Sequence, residues 1–150
     1  MRQRTMIGLA AGLPLAMTAC SEPPRLAVDH AWVRLAAVPS RPAAAYFTLH
    51  GGPVDATLIN VTTDVAVRSE LHESVAGPGG ITSMRPIGNV PVPATRAVTF
   101  RPGGRHVMLF DVNPGIRPGE RRILLTFTFA DGSRLQRNAA VLGAGDAAPE

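Results

Sequence analysis

The chain has no lysine, one cysteine, one tryptophan and one tyrosine. A single cysteine rules out an internal disulfide, so the fold must be held by its core. All fifteen basic residues are arginine, and the pI near 10.9 reflects the high pKa of guanidinium more than an excess of positive charge. Setting aside Arg2 and Arg4 near the start leaves thirteen arginines against eleven acids, a net charge of +2. These arginines are scattered singly, except Arg121-Arg122, and there is little aromatic surface for stacking on bases. A nucleic-acid partner, which needs a clustered basic face, is therefore not expected. The apolar run Ile7 to Met17 is too short to cross a bilayer as a helix.

What that run does fit is a secretory leader. Arg2 and Arg4 supply the positive start, and the apolar stretch, broken only by glycines and Pro14, ends in Met17-Thr18-Ala19-Cys20. Small residues directly before the only cysteine resemble a bacterial lipoprotein cleavage box, although Met17 stands where leucine is usual. Residues 1–19 are expected to be a lipoprotein-type signal peptide. Cys20 then becomes the lipid-bearing first residue of the mature chain, and residues 20–25 a tether to the periplasmic side of a membrane. Cleavage near Ala19 without lipidation would instead release a soluble periplasmic protein.

At 150 residues the chain is one domain, long enough for a single core. Short apolar runs alternate with turn signals such as Gly77-Pro78-Gly79-Gly80, Pro102-Gly103-Gly104 and Asp131-Gly132. Strands are expected at residues 26–35, 44–50, 56–62, 65–74, 81–87, 97–100, 106–112, 122–130 and 134–141. Asp131-Gly132 joins two alternating runs and predicts a hairpin. The fold expected is all-β, a two-sheet antiparallel sandwich of cupredoxin-like or immunoglobulin-like shape over residues 26–142. Residues 143–150 form a small-residue tail with no reason to be ordered.

Beyond the leader only two methionines remain, Met84 and Met108, and they interleave with two of the four histidines. The order is His72, eleven residues, Met84, twenty-one residues, His106, one residue, Met108. Two thioethers and two imidazoles form a soft, neutral donor set. It has no attraction for magnesium or calcium, is poor for zinc and suits Cu(I). Strand alternation puts Val65, Val67 and Leu71 on one face and His72 on the other. It also makes His106 and Met108 neighbours on one face, with Val107 and Leu109 opposite. A hairpin at the glycine-rich turn would bring Met84 to the same end as His72. Taken alone, each methionine would be read as core filler and each histidine as a satisfied polar residue. His30 and His50 are assigned surface or structural roles, and Trp32 and Tyr46 core packing.

The spacing His-x11-Met-x21-His-x-Met in a small exported β protein resembles the periplasmic copper chaperone family PCuAC. Surrounding segments are similar too: Ala31-Trp32-Val33-Arg34, Ala44-Ala45-Tyr46-Phe47-Thr48-Leu49, Glu70-Leu71-His72-Glu73, Met84-Arg85-Pro86 and Pro102 to Leu109. The likeness covers roughly Leu26 to Val141. It implies a cupredoxin-like sandwich with an exposed site for one Cu(I) per chain, made by His72, Met84, His106 and Met108. It also implies transfer of copper to a periplasmic acceptor, such as the CuA centre in subunit II of cytochrome c oxidase or another copper chaperone; a monomer is expected. Many relatives have methionine directly after the first histidine, where this chain has Glu73. Some carry a Met/His-rich tail for Cu(II), and Gly143–Glu150 has neither residue.

No nucleophile-elbow sequence accompanies these histidines, and the only cysteine is taken up by the leader, so no enzyme is expected. Two other readings stay open at this level: copper buffering or tolerance rather than delivery, and a metal-free, lipid-anchored interaction module.

Overall fold

In the computed structural model, which describes residues 23–149, the alternating runs become ten strands. They are β1 (Ala27–Arg34), β2 (Ala43–His50), β3 (Ala56–Thr62), β4 (Ala66–Ala76), β5 (Thr82–Pro86), β6 (Val90–Val92), β7 (Ala97–Phe100), β8 (Arg105–Val112), β9 (Ile123–Phe129) and β10 (Arg134–Leu142). The expected leader (1–19) and the anchoring role of Cys20 lie outside the described residues. Among the described residues no helix is long and apolar enough to cross a membrane.

The strands pair in the order β5-β4-β8-β2-β1-β10-β9-β3-β6, with β7 also bonded to β2. Every pair is antiparallel except β1 with β10, where Trp32 to Arg34 run alongside Ala140 to Leu142. That one parallel pair joins the two layers of the sandwich into a continuous ladder. Phe47 of β2 shows the layers facing each other. It stacks on Phe100 of β7 at 4.3 Å and meets Phe127 of β9 edge-on at 4.7 Å, although β9 is three places away in the ladder.

The core follows the alternation. Leu125, Phe127 and Phe129 of β9 are buried, as are Val107 and Leu109 of β8 and Ala45, Phe47 and Leu49 of β2. Each fully buried Val, Leu or Phe among them contributes roughly 1.5–3 kcal/mol. The Asp131-Gly132 hairpin forms as read. Gly132 takes φ +84°, its amide donates to Phe129 O, and Asp131 Oδ1 accepts from the Ser133 amide at 2.9 Å.

Three features differ from the sequence reading. β6 is a tenth strand, Val90-Pro91-Val92, pairing with Ala56–Leu58. It ends the ladder, where a proline without an N–H is tolerated. Val67 keeps the parity of Val65 and Leu71, yet it is 82% exposed while those two are buried. Alternation assigns a face, not the cover over it. Residues 143–146, placed in the expected tail, form a hydrogen-bonded turn. Gly143 N donates to Asp146 Oδ2 at 2.6 Å, and Arg34 Nη2 reaches Asp146 O at 3.1 Å.

Candidate metal centre

β4, β5 and β8 are adjacent, and their register assembles the four residues. His72 stands directly opposite His106. Met108 stands opposite Glu70, the residue two before His72, and Met84 opposite Ser74, the residue two after it. Residues two apart on a strand share a face. All four therefore project from the face of this layer that is turned away from the core. The β4–β5 hairpin that delivers Met84 is closed by a tight 3-10 turn, Pro78–Gly80, where Gly79 and Gly80 take φ of +73° and +77°.

The two imidazoles are tilted 39° to one another, with ring centroids 6.0 Å apart. Each gives one ring N–H to a fixed acceptor. His72 Nε2 donates to Glu70 Oε2 at 2.9 Å, and His106 Nδ1 donates to the Gly104 carbonyl at 2.9 Å. A carbonyl can only accept, so the proton of His106 is on Nδ1 and its lone pair on Nε2. By the same reasoning His72 keeps its lone pair on Nδ1. Both of these nitrogens, His72 Nδ1 and His106 Nε2, are buried and have no hydrogen-bond partner. Leaving a buried polar atom unpaired costs about 1–3 kcal/mol. Two such atoms on facing residues amount to a place prepared for something that accepts lone pairs.

Burial tightens the arrangement. His106 is 4% exposed and is the buried polar residue among the described residues; the His72 side chain is 12% exposed. Burial and, after it, the guanidinium of Arg68 push the His72 imidazole below its ordinary 6.5. Both influences favour the neutral, metal-ready form over imidazolium. Arg68 in turn pairs with Glu70 and lies over the Phe110 ring at 3.8 Å. Met84 is the accessible donor at 60% exposure, on an edge strand that is exposed throughout.

Trp32 and Tyr46, read from sequence as core packing, are buried on this outer face instead. They lie 4.4 Å apart as a separate aromatic pair, and Tyr46 is 6.5 Å from His106. Tyr46 thus borders His106 on the β2 side. Burial pushes the Tyr46 phenol upward, only partly offset by Arg34. Glu70 and Gly104 were not singled out from sequence. Each stands two residues before its histidine, a spacing that puts Glu70 on the ligand face.

Among the described residues no three His, Cys, Asp or Glu side chains surround a common point. A cavity of about 460 Å³ lies elsewhere, bordered by Val38, Arg41, Val112, Ile116, Arg117 and Ala144, with no imidazole or thioether in its lining.

Comparison with known proteins agrees with this architecture. The family described as "Putative lipoprotein LpqE-like" matches residues 26–141. "Putative lipoprotein Lxx21020" of Leifsonia xyli subsp. xyli (strain CTCB07) is 30% identical over 129 residues, covering 85% of this chain and 76% of that one. Among solved structures, the copper-bound PCuAC domain from PmoF2 superposes with a TM-score of 0.64 over 82% of this chain and 97% of that domain. At 21% identity, that likeness speaks for the fold. The Cu(I) form of DR1885 from Deinococcus radiodurans is 29% identical, with a TM-score of 0.56 over 75% of this chain and 76% of that one. The chain belongs to the LpqE-like lipoprotein family, the same family as the PCuAC domains.

Proposed function

We propose that this protein is an exported copper chaperone that holds one Cu(I) between His72 Nδ1, His106 Nε2 and the thioethers of Met84 and Met108. The observation that carries the proposal is the pair of buried, unpartnered imidazole nitrogens on the face that also presents both methionines. Neutral imidazoles and thioethers add no charge, and polarizable sulfur favours Cu(I) over Cu(II). Two of the solved relatives are described as copper-bound, one of them as the Cu(I) form, and none of the relatives above is described as an enzyme.

The residues divide the work. Glu70 and Gly104 fix each ring's tautomer and orientation. The Trp32–Tyr46 pair keeps water from His106. Met84, exposed on the edge strand, is the donor that an incoming thiolate or thioether of an acceptor can replace first. Thioethers, unlike thiolates, do not form disulfides in an oxidising compartment, although they can become sulfoxides. The acceptor would be a periplasmic copper protein such as subunit II of cytochrome c oxidase. Cys20, after removal of residues 1–19, would tether the domain to the membrane by lipid.

The test is a Cu(I) competition titration of the purified protein under anaerobic, reducing conditions, beside the Met84→Leu/Met108→Leu variant. One tight Cu(I) per chain, lost in the variant, supports the reading. Binding that ignores both methionines removes it. A growth or oxidase defect at low copper would mark delivery, whereas one at high copper would mark buffering.

A further inference from the structure

On the same outer face, at the far end of β1 and β2, lies a second group of histidines that the copper reading does not use. Asp29 Oδ1 accepts from His30 Nδ1 and Asp29 Oδ2 from His50 Nε2, both at 2.8 Å. One carboxylate thus joins two imidazoles brought from different strands. His50 stands four residues from Tyr46 on β2, about 13 Å along the strand. The group is therefore separate from His72 and His106.

The backbone is bent to make this group. In a regular strand His30 would point to the side opposite Asp29. Here Asp29 pairs with Thr48 and Trp32 with Tyr46, so His30 and Ala31 stand together opposite Phe47 as a β-bulge. His30 takes φ +47°, a left-handed conformation that costs a non-glycine residue about 1–2 kcal/mol. The bulge and the strain turn its ring to the carboxylate. Bulges re-aim side chains, and strain of this kind gathers at functional positions.

We propose that Asp29, His30 and His50 form a second metal site, suited to a borderline divalent ion, Zn(II) or Cu(II), rather than to Cu(I). Two imidazoles and a carboxylate are the nitrogen and oxygen donors that such ions prefer, and there is no sulfur among them. The proposal stands apart from the Cu(I) reading and does not need it. With metal–nitrogen and metal–oxygen bonds of about 2.0–2.2 Å, a tetrahedral N–metal–O corner spans about 3.4 Å. The two N···O separations of 2.8 Å are hydrogen-bond distances that would widen by roughly 0.6 Å on binding.

The three groups do not yet surround one point, because each ring nitrogen is directed at its own carboxylate oxygen. Closure asks only that two exposed rings turn inward; the side chains of His30 and His50 are 70% and 44% exposed. A ring turned to the ion gives up the proton on the nitrogen it presents, either to its other nitrogen or to solvent. The carboxylate is already ionised. Burial acts to raise its pKa, but the hydrogen bonds from His50 and His30 outweigh it and hold the pKa below 3.8.

The experiment is a Zn(II) competition titration on the Met84→Leu/Met108→Leu protein, which leaves this group intact, followed by imidazole NMR. The expected result is one Zn(II) per chain, with the His30 and His50 resonances shifting together. In the same background, His30→Asn/His50→Asn weakens binding at least tenfold without lowering the melting temperature of the metal-free protein. Asparagine tolerates the left-handed conformation, so this variant keeps the bulge. Asp29→Asn is expected to weaken binding in the same direction. Cu(II) should show a nitrogen- and oxygen-ligated signal by electron paramagnetic resonance, lost in the same variants. Unchanged affinity in His30→Asn/His50→Asn, or Zn(II) shifts confined to His72 and His106, overturns the proposal. Neither of these outcomes touches the Cu(I) titration, so the two readings fail separately.

Discussion

His72 and His106 face each other across β4 and β8 but are anchored through opposite ring nitrogens. His72 is held by Nε2 on Glu70, and His106 by Nδ1 on the Gly104 carbonyl. The nitrogens left over, Nδ1 of one and Nε2 of the other, are both buried and unpaired. The acceptors, as much as the histidines, determine where lone pairs are available.

Glu70 should therefore matter to copper without being a ligand. Loss of such an outer partner typically costs 10–100-fold in metal affinity. Glu70→Ala is expected to weaken Cu(I) binding by roughly that factor while the methionines remain engaged. Nitrogen-15 chemical shifts of His72 should show mixed tautomers in the variant and one in the parent. An unchanged affinity would show that Glu70 serves only Arg68.

The two methionines differ in exposure, and peroxide should distinguish them. Met84, 60% exposed on the edge strand, is expected to become sulfoxide well before the partly covered Met108. Peptide mapping by mass spectrometry follows the order. Prior loading with Cu(I) should slow oxidation at Met84, and protein oxidised at that position should fail to take up copper. Equal rates at both sites, unaffected by copper, would contradict the shared site.

Acid should weaken the metal-free fold through His72. Its folded pKa lies below the ordinary 6.5, first through burial and then through Arg68, so on acidification the unfolded chain takes up the proton earlier. This contribution is complete above about pH 6.5 and declines as pH falls through 6.5 towards the lower folded value. The urea midpoint is expected to be lower at pH 5.5 than at 7.5, with a smaller difference in His72→Asn. An equal or larger pH effect in that variant would rule His72 out as the source.

Gly51 has a packing reason to be glycine. A Cβ there would stand 2.1 Å from the Pro93 carbonyl oxygen, a backbone atom that cannot swing aside. Gly51→Ala is expected to cost at least about 1–3 kcal/mol, lowering the melting temperature by roughly 5 °C or more. Gly132→Asn, at an open position where asparagine accepts positive φ, should cost much less.

The pairing of His106 with Met108 on one face, the β4–β5 hairpin and the apolar face of β9 were all legible in the sequence. Each depends on period-two alternation or on a glycine turn, and both act over a few residues. That local rule assigns a face but not what covers it: Val67 is exposed, while Trp32 and Tyr46 are buried on the outer face. Burial depends on what a different part of the chain brings over a residue.

The donor types, their spacing and the soft-metal chemistry they permit follow from the residues alone, because ligand softness belongs to the side chains. Which nitrogen of each histidine is free follows instead from packing, since it depends on Glu70 and Gly104 standing within hydrogen-bond reach. The meeting of His30, Asp29 and His50 was likewise undecided until β1 bulged against β2. A bulge is settled by cross-strand register and by a single left-handed residue, and neither leaves a mark in local alternation.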